Sequence, residues 1–370
     1  MDEDIDGLDK RLREKAATRA TVLMEAGVIP AEAVMQAVKE LVDDFAQRSE
    51  QVADGLASVT REHLTDRYEY DAAFRQRLAE AYGEAFVAYD TVVEVIAEAA
   101  RDFWHRYKEE GEQDELIEVL WANLAQCLRV AREVGHLLRG GFPYGALATQ
   151  RTAYELAVRS IVLKAHGREL GHEDLAERYR LHDYIGQEAD VREYQKSAEA
   201  LGYTPFDESE VQAAADRREN LLERFGRSFG AQYGWAVGLP GVTAGKFREI
   251  EDLAGIDHRR GFYRWASHYV HGDPSSLRMS IMRRGGVSQG VLSDLTNIHL
   301  TDPAQFALYA LQLTYVSVAM VDAPALADLF IAHGLQHLTD RAAEAFGTAA
   351  HTITATEEQL QQQLATEQEP

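Results

Sequence analysis

"DELIEVLWANLAQCLRVAREVGHLLRGG", residues 114–141, decides the fold class. It is a long apolar helical run without proline, and Gly140-Gly141 closes it as a C-terminal stop. The pattern recurs on both sides. Upstream, the stretch from Pro30 carries Ala33, Val34, Ala37, Val38, Leu41 and Val42 at the i, i+3, i+4, i+7 spacing of an amphipathic helix. Pro30 stands at its entry, where proline is tolerated. "EAFVAYDTVVEVIAEAARDFWHRYKEE" (84–110) repeats the pattern before Gly111. Downstream come "ALATQRTAYELAVRSIVLKAHG" (146–167) and a looser helix, "LAERYRLHDYIGQEADVREYQ" (175–195).

Glycines then break the order. "SFGAQYGWAVGLPGVTAG" (228–245) reads as a long irregular loop and "RRGGVSQG" (283–290) as a turn or loop. "DPAQFALYALQLTYVSVAMV" (302–321) is expected to be the final core helix, with Asp302 as N-cap and Pro303 at N1. No stretch alternates with period two, and no repeat of 20–50 residues is evident. The expected fold is therefore all-α, a multi-helix bundle with an N-terminal helical arm.

Charge divides the chain. The net charge is −23, and residues 1–118 hold 29 acidic against 14 basic side chains. Residues 216–290 reverse the balance, with 12 basic against 8 acidic. Such a chain is a poor indiscriminate nucleic-acid binder, yet it leaves room for a small basic site. The expected divisions are an acidic helical region over 1–114, a helical core over 115–350 and a frayed or disordered tail over 351–370. The first of these is either a dimerisation arm or a solvated layer of helices.

The single cysteine, Cys127, lies in an apolar helical run and reads as a buried structural thiol. The acidic start lacks the basic and apolar regions of a signal peptide, and Gln312, Thr314, Ser317 and Asp322 interrupt the most apolar stretch. A cytoplasmic protein without a membrane span is expected.

Chemistry concentrates in "YRWASHYVHGDP", residues 263–274. On a helix, Arg264 and His271 share a stripe, His268 lies between them, and Tyr263, Ser267 and His271 form an overlapping one. A histidine near neutrality can take a proton from a ribose hydroxyl or return one to a leaving oxygen, and an arginine can stabilise a charged phosphorane. The alternative is a hydrogen-bonded polar seam between core helices. Arg151 and Glu155 stand at i, i+4 in an apolar helix; they either buttress the histidines or tie two helices together. Arg259, Arg260, Arg283 and Arg284 surround the motif and are candidate RNA contacts. A metal at His268 and His271, with Asp257, His258 or Asp273, lacks a supporting motif, and no metal or other cofactor is expected. His166, His172 and His182 read as surface residues. "GLPGVTAGK" (238–246) does not match GxxxxGK[ST] and is set aside as a phosphate loop.

"GGFPYGALATQRTAYELAVRSIVL", "YRLHDY" and "YRWASHYVHGDP", in that order, resemble a bacterial all-helical domain of unknown function. Its recurring features are R-x3-E and Y-x3-S-x3-H, and the resemblance spans roughly residues 115–330. That domain is in turn similar to the HEPN superfamily, many of whose members are metal-independent endoribonucleases with an R-x4–6-H motif. They act as dimers in toxin–antitoxin and anti-phage systems, and non-catalytic relatives bind nucleotides or proteins. The resemblance implies a HEPN-like core, with Arg264 stabilising transition-state charge and His271 as acid or base. It implies supporting roles for Tyr263, Ser267 and His268, with Arg151 and Glu155 orienting them. It also implies a homodimer, an RNA substrate and a neutralising or regulatory protein partner. The residue after the arginine, polar in most of those nucleases, is Trp265 here.

Overall fold

The computed structural model describes residues 2–47, 49–111, 113–284, 287–322 and 324–367. Among them the chain is all-α, with thirteen α-helices and one small β-hairpin. It divides into two compact units, Met1–Ala73 and Phe74–Pro370, and the division falls inside α3 (Ser49–Glu110). In the first unit α1 (Asp2–Glu25) and α2 (Pro30–Gln47) pair, with Ala20 and Leu23 buried against Ala33 and Ala37. Val34, Val38 and Val42 of the same apolar pattern stay exposed.

The core takes in more of the chain than the expected boundary at 114/115 allows. From Leu78 onward α3 buries Tyr82, Phe86, Tyr89, Val92, Val93 and Ile96 in the main core, whereas the described side chains from 53 to 70 are all exposed. One continuous helix thus changes role where bulky apolar residues begin to recur on one face.

Three helices form the centre of the second unit: α4 (Glu115–Arg139), α5 (Pro143–His166) and α12 (Thr301–Ala319). The opening stretch folds as its residues require. Asp114 is the N-cap of α4 and its carboxylate accepts the Ile117 N–H at 3.1 Å. Gly140 ends the helix and Gly141 turns left-handed at φ +79, where a Cβ would sit 2.7 Å from the Phe74 ring. Cys127 is fully buried with the Thr314 hydroxyl 3.6 Å from its sulfur, and burial pushes the thiol up to about 12. It is structural.

Several expectations need correction. The helix expected from Asp302 begins at Thr301, with Leu300 as N-cap and no side-chain capping bond. It is not the last, because α13 (Leu326–Glu367) follows and sends Phe346 among Tyr82, Phe86 and Tyr89. The helix continues through most of the stretch expected to fray, because the Ala, Gln and Glu there favour helix even where they are exposed. The stretch expected as a turn holds β1 (Ile281–Arg284) and β2 (Val287–Val291), antiparallel with a register shift at Met282/Arg283. Finally, His182 is partly buried, its Nε2 2.9 Å from the Ala231 carbonyl, and burial lowers its pKa. It interrupts the looser helix, which becomes α6 (Leu175–Leu181) and α7 (Asp183–Leu201).

The glycine-rich loop after α8 (Glu208–Phe225) is irregular but packed, with Phe229, Tyr233, Trp235, Leu239 and Val242 all buried. Glu249, in α9 (Phe247–Leu253), organises its end. The carboxylate accepts the Ala244 N–H at 3.1 Å, the Lys246 N–H at 3.0 Å and the Thr243 hydroxyl at 3.1 Å. These donors hold it down at about 2. The superficial phosphate loop is thus filled by the chain's own carboxylate.

Candidate functional site

The motif of residues 263–274 forms α10 (Arg260–Val270), a tight turn, and the start of α11 (Pro274–Ser280). Gly272 takes φ +59 in that turn, which suits glycine. Asp273 then caps α11, its Oδ1 accepting the Ser275 N–H at 2.8 Å. The reversal folds α11 back beside α10 and leaves a cleft of about 290 Å³ lined by Gly261, Arg264, Trp265, His268, Ser275 and Arg278.

Within this cleft His268 is the organised group. Its Nδ1 is hydrogen-bonded to Asp273 Oδ2, and this bond, helped by the Ser275 N–H, holds the Asp273 carboxyl below its ordinary value. An ionised Asp273 can only accept, so Nδ1–H donates to it, and in the neutral imidazole this tautomer leaves the lone pair on Nε2. Arg264 and Arg278 are exposed, and among the described residues no carboxylate pairs with either. The cleft therefore offers an oriented imidazole and two guanidinium groups that no carboxylate among the described residues neutralises.

His271 stands apart. It is exposed at the C-cap of α10, where its backbone N–H reaches the Ser267 carbonyl at 3.0 Å, and it does not line the cleft. The seven-residue stripe from Arg264 runs off the helix end, so Arg264 shares its cleft with His268 at i+4 instead.

The opposite side of α10 is a closed network. The Tyr263 hydroxyl accepts from Arg151 Nη2 at 2.7 Å and donates to Glu155 Oε1 at 2.9 Å. Arg151 Nε donates to the same oxygen at 3.2 Å, and Arg159 Nη2 donates to Oε2 at 2.9 Å. Burial and the neighbouring Glu155 charge raise the Tyr263 phenol well above its ordinary value. The Tyr263 ring stacks on Phe247 at 4.8 Å. Ser267 is tied to the backbone carbonyl of Tyr263 at 2.8 Å, so its hydroxyl serves the helix itself.

Of the expected RNA contacts, Arg260 is engaged. It pairs with Glu251, 1 % exposed, and with Asp252. Arg259 lies 3.3 Å over the Tyr309 ring. The side chains of Arg283 and Arg284 lie outside the described residues. Asp257 and His258 are exposed, and among the described residues no three His, Cys, Asp or Glu side chains come together as metal ligands.

Sequence reasoning missed the part played by Arg278, Ser275 and the Asp273 carboxylate. The signal was present in "HGDP": a glycine turn followed by Asp-Pro announces a second helix N-terminus, and hence a hairpin.

Residues 118–287 match a family of unknown function (DUF5677). The matched segment contains α4 from its fourth residue onward and the whole of α5, α10 and α11. No curated protein and no solved structure matches the chain.

Proposed function

We propose that the α10–α11 cleft cleaves phosphodiesters and that the chain is a metal-independent endoribonuclease, of the toxin or anti-phage defence type. One observation carries this reading: an imidazole oriented by a carboxylate shares an open cleft with two guanidinium groups that no described carboxylate neutralises. A polar seam would bury and pair these groups, as the Tyr263 side of the same helix does.

In the proposed reaction His268 Nε2 takes the proton of a ribose 2′-hydroxyl, and the 2′-oxygen attacks the adjacent phosphorus. Arg264 and Arg278 hold the non-bridging oxygens, where negative charge grows. The bond to the 5′-oxygen breaks, and that oxygen takes a proton from solvent. The products are a 2′,3′-cyclic phosphate and a 5′-hydroxyl. Arg151, Glu155 and Arg159 hold α10 in place through Tyr263. The biological class, a homodimeric assembly and a neutralising partner rest on the resemblance of the α5 and α10 motifs alone.

The test is cleavage of RNA by the purified chain in EDTA, beside His268→Ala and His271→Ala, with the product ends identified. Cleavage that ends in cyclic phosphate, is lost in His268→Ala and persists in His271→Ala supports the reading. Loss in His271→Ala alone would move the base to the helix end. Tight RNA binding without cleavage in the wild type would make the cleft a binding site.

A further inference from the structure

We infer that Trp265 is a stacking platform for one unpaired base, so that the cleft takes single-stranded RNA and discriminates against duplex. This deepens the phosphodiester reading and rests on it.

The four tryptophans of the chain are not equivalent. Trp104 and Trp121 stack on each other, with ring centroids 4.7 Å apart and planes within 12°. Trp235 is 2 % exposed and meets Tyr179 edge-on at 5.0 Å. Trp265 is half-buried, and among the described residues no aromatic ring lies against it. It lines the cleft that Arg264, His268 and Arg278 line. A large indole left in a cleft otherwise built of guanidinium, imidazole and hydroxyl groups is unfavourable until a flat apolar surface covers it.

The chemistry that lines this cleft defines its ligand. The arginines call for anionic oxygens, and the indole calls for a π-face a few ångströms away. A free phosphate or a sugar phosphate would satisfy the first and leave the indole bare. A nucleotide satisfies both with one rigid unit. A base inside a duplex has both faces covered by its neighbours, so only an unpaired nucleotide can present one to Trp265. The cleft volume of about 290 Å³ suits a single such unit. Trp265 follows Arg264 directly and precedes His268 by three positions, so the base, the phosphate and the proton acceptor are met by one stretch of helix.

The experiment measures binding by fluorescence anisotropy to the full chain carrying His268→Ala, which keeps RNA intact. Three probes of equal length are used: a single-stranded RNA, an abasic ribose–phosphate chain and an RNA duplex. The single strand should bind about tenfold tighter than the abasic chain, within the range base–aromatic stacking supplies. Adding Trp265→Ala should abolish that preference and leave the abasic affinity unchanged; Trp265→Phe should keep most of it, which separates stacking from a folding defect. Equal binding of single-stranded and abasic probes, or a Trp265→Ala loss shared by all three, would overturn the stacking role. The phosphate reading would then still stand if abasic binding weakens with salt and with Arg278→Ala. Failure of the abasic chain to bind at low salt would overturn both.

Discussion

The two faces of α10 are made from similar residues and have opposite fates. On the α5 side, Tyr263 meets Arg151 and Glu155, with Arg159 on the far carboxylate oxygen, and every group has a partner. On the α11 side, Arg264 and Arg278 have none among the described residues, and His268 keeps one nitrogen free beyond its bond to Asp273. A partly buried ion network that satisfies all its members fixes the angle of a helix. Cations left unneutralised around an open cleft stabilise nothing in the fold and are available to a ligand. The difference teaches that charged residues on a helix are not one signal; their partners decide which role they play.

The sharpest way to break this comparison is to exchange the outcomes. His268→Ala is expected to reduce RNA cleavage by about 100-fold or more while lowering the melting temperature only slightly, because its bond to Asp273 is partly exposed. A large loss of stability instead would make His268 a structural residue like Tyr263. Glu155→Ala should do the reverse at first, destabilising by roughly 2 kcal/mol because two half-buried guanidinium groups lose their acceptor. Calorimetry would register this as a lower melting temperature; an unchanged melt would mean the network contributes nothing. Tyr263→Phe removes one hydroxyl and keeps the ring contacts, so a cost of about 1 kcal/mol is expected from chemical denaturation.

The smallest effect concerns Glu249, whose carboxylate sits at about 2 because backbone N–H groups favour its charged form. A folded value below the unfolded one stabilises the chain above the ordinary carboxylate range. That contribution is lost as pH falls toward 2. Glu249→Gln should therefore flatten the acid side of the stability profile between these limits. An identical profile in the variant would show that the loop does not need the charge.

Much of the fold was legible because helices are written locally. Gly140-Gly141 as a stop and the apolar run before it act within a few residues, and the structure keeps them. The hairpin at 281–291 was not legible, since its pairing partners lack alternation and one strand carries a register shift. The candidate site was half legible. The helical stripe singled out Arg264, His268 and Tyr263, but a stripe has no knowledge of where its helix ends, and α10 ends before His271. Arg278 could not be placed from spacing, because its position beside Arg264 depends on the reversal at Gly272.

By itself the sequence determined an all-α chain, the main helix stops, a buried inert thiol and a locally basic stretch carrying imidazole and guanidinium groups. Each follows from periodicity, capping and composition, which act between near neighbours. Only the tertiary structure decided which of those polar groups are spent and which remain free. Tyr263 finds Arg151 across 112 positions of chain, and Arg260 is claimed by Glu251 in the short helix before it. Pairing of buried charge is settled by whatever the fold brings within hydrogen-bond reach, and helical spacing alone contains no record of that partner.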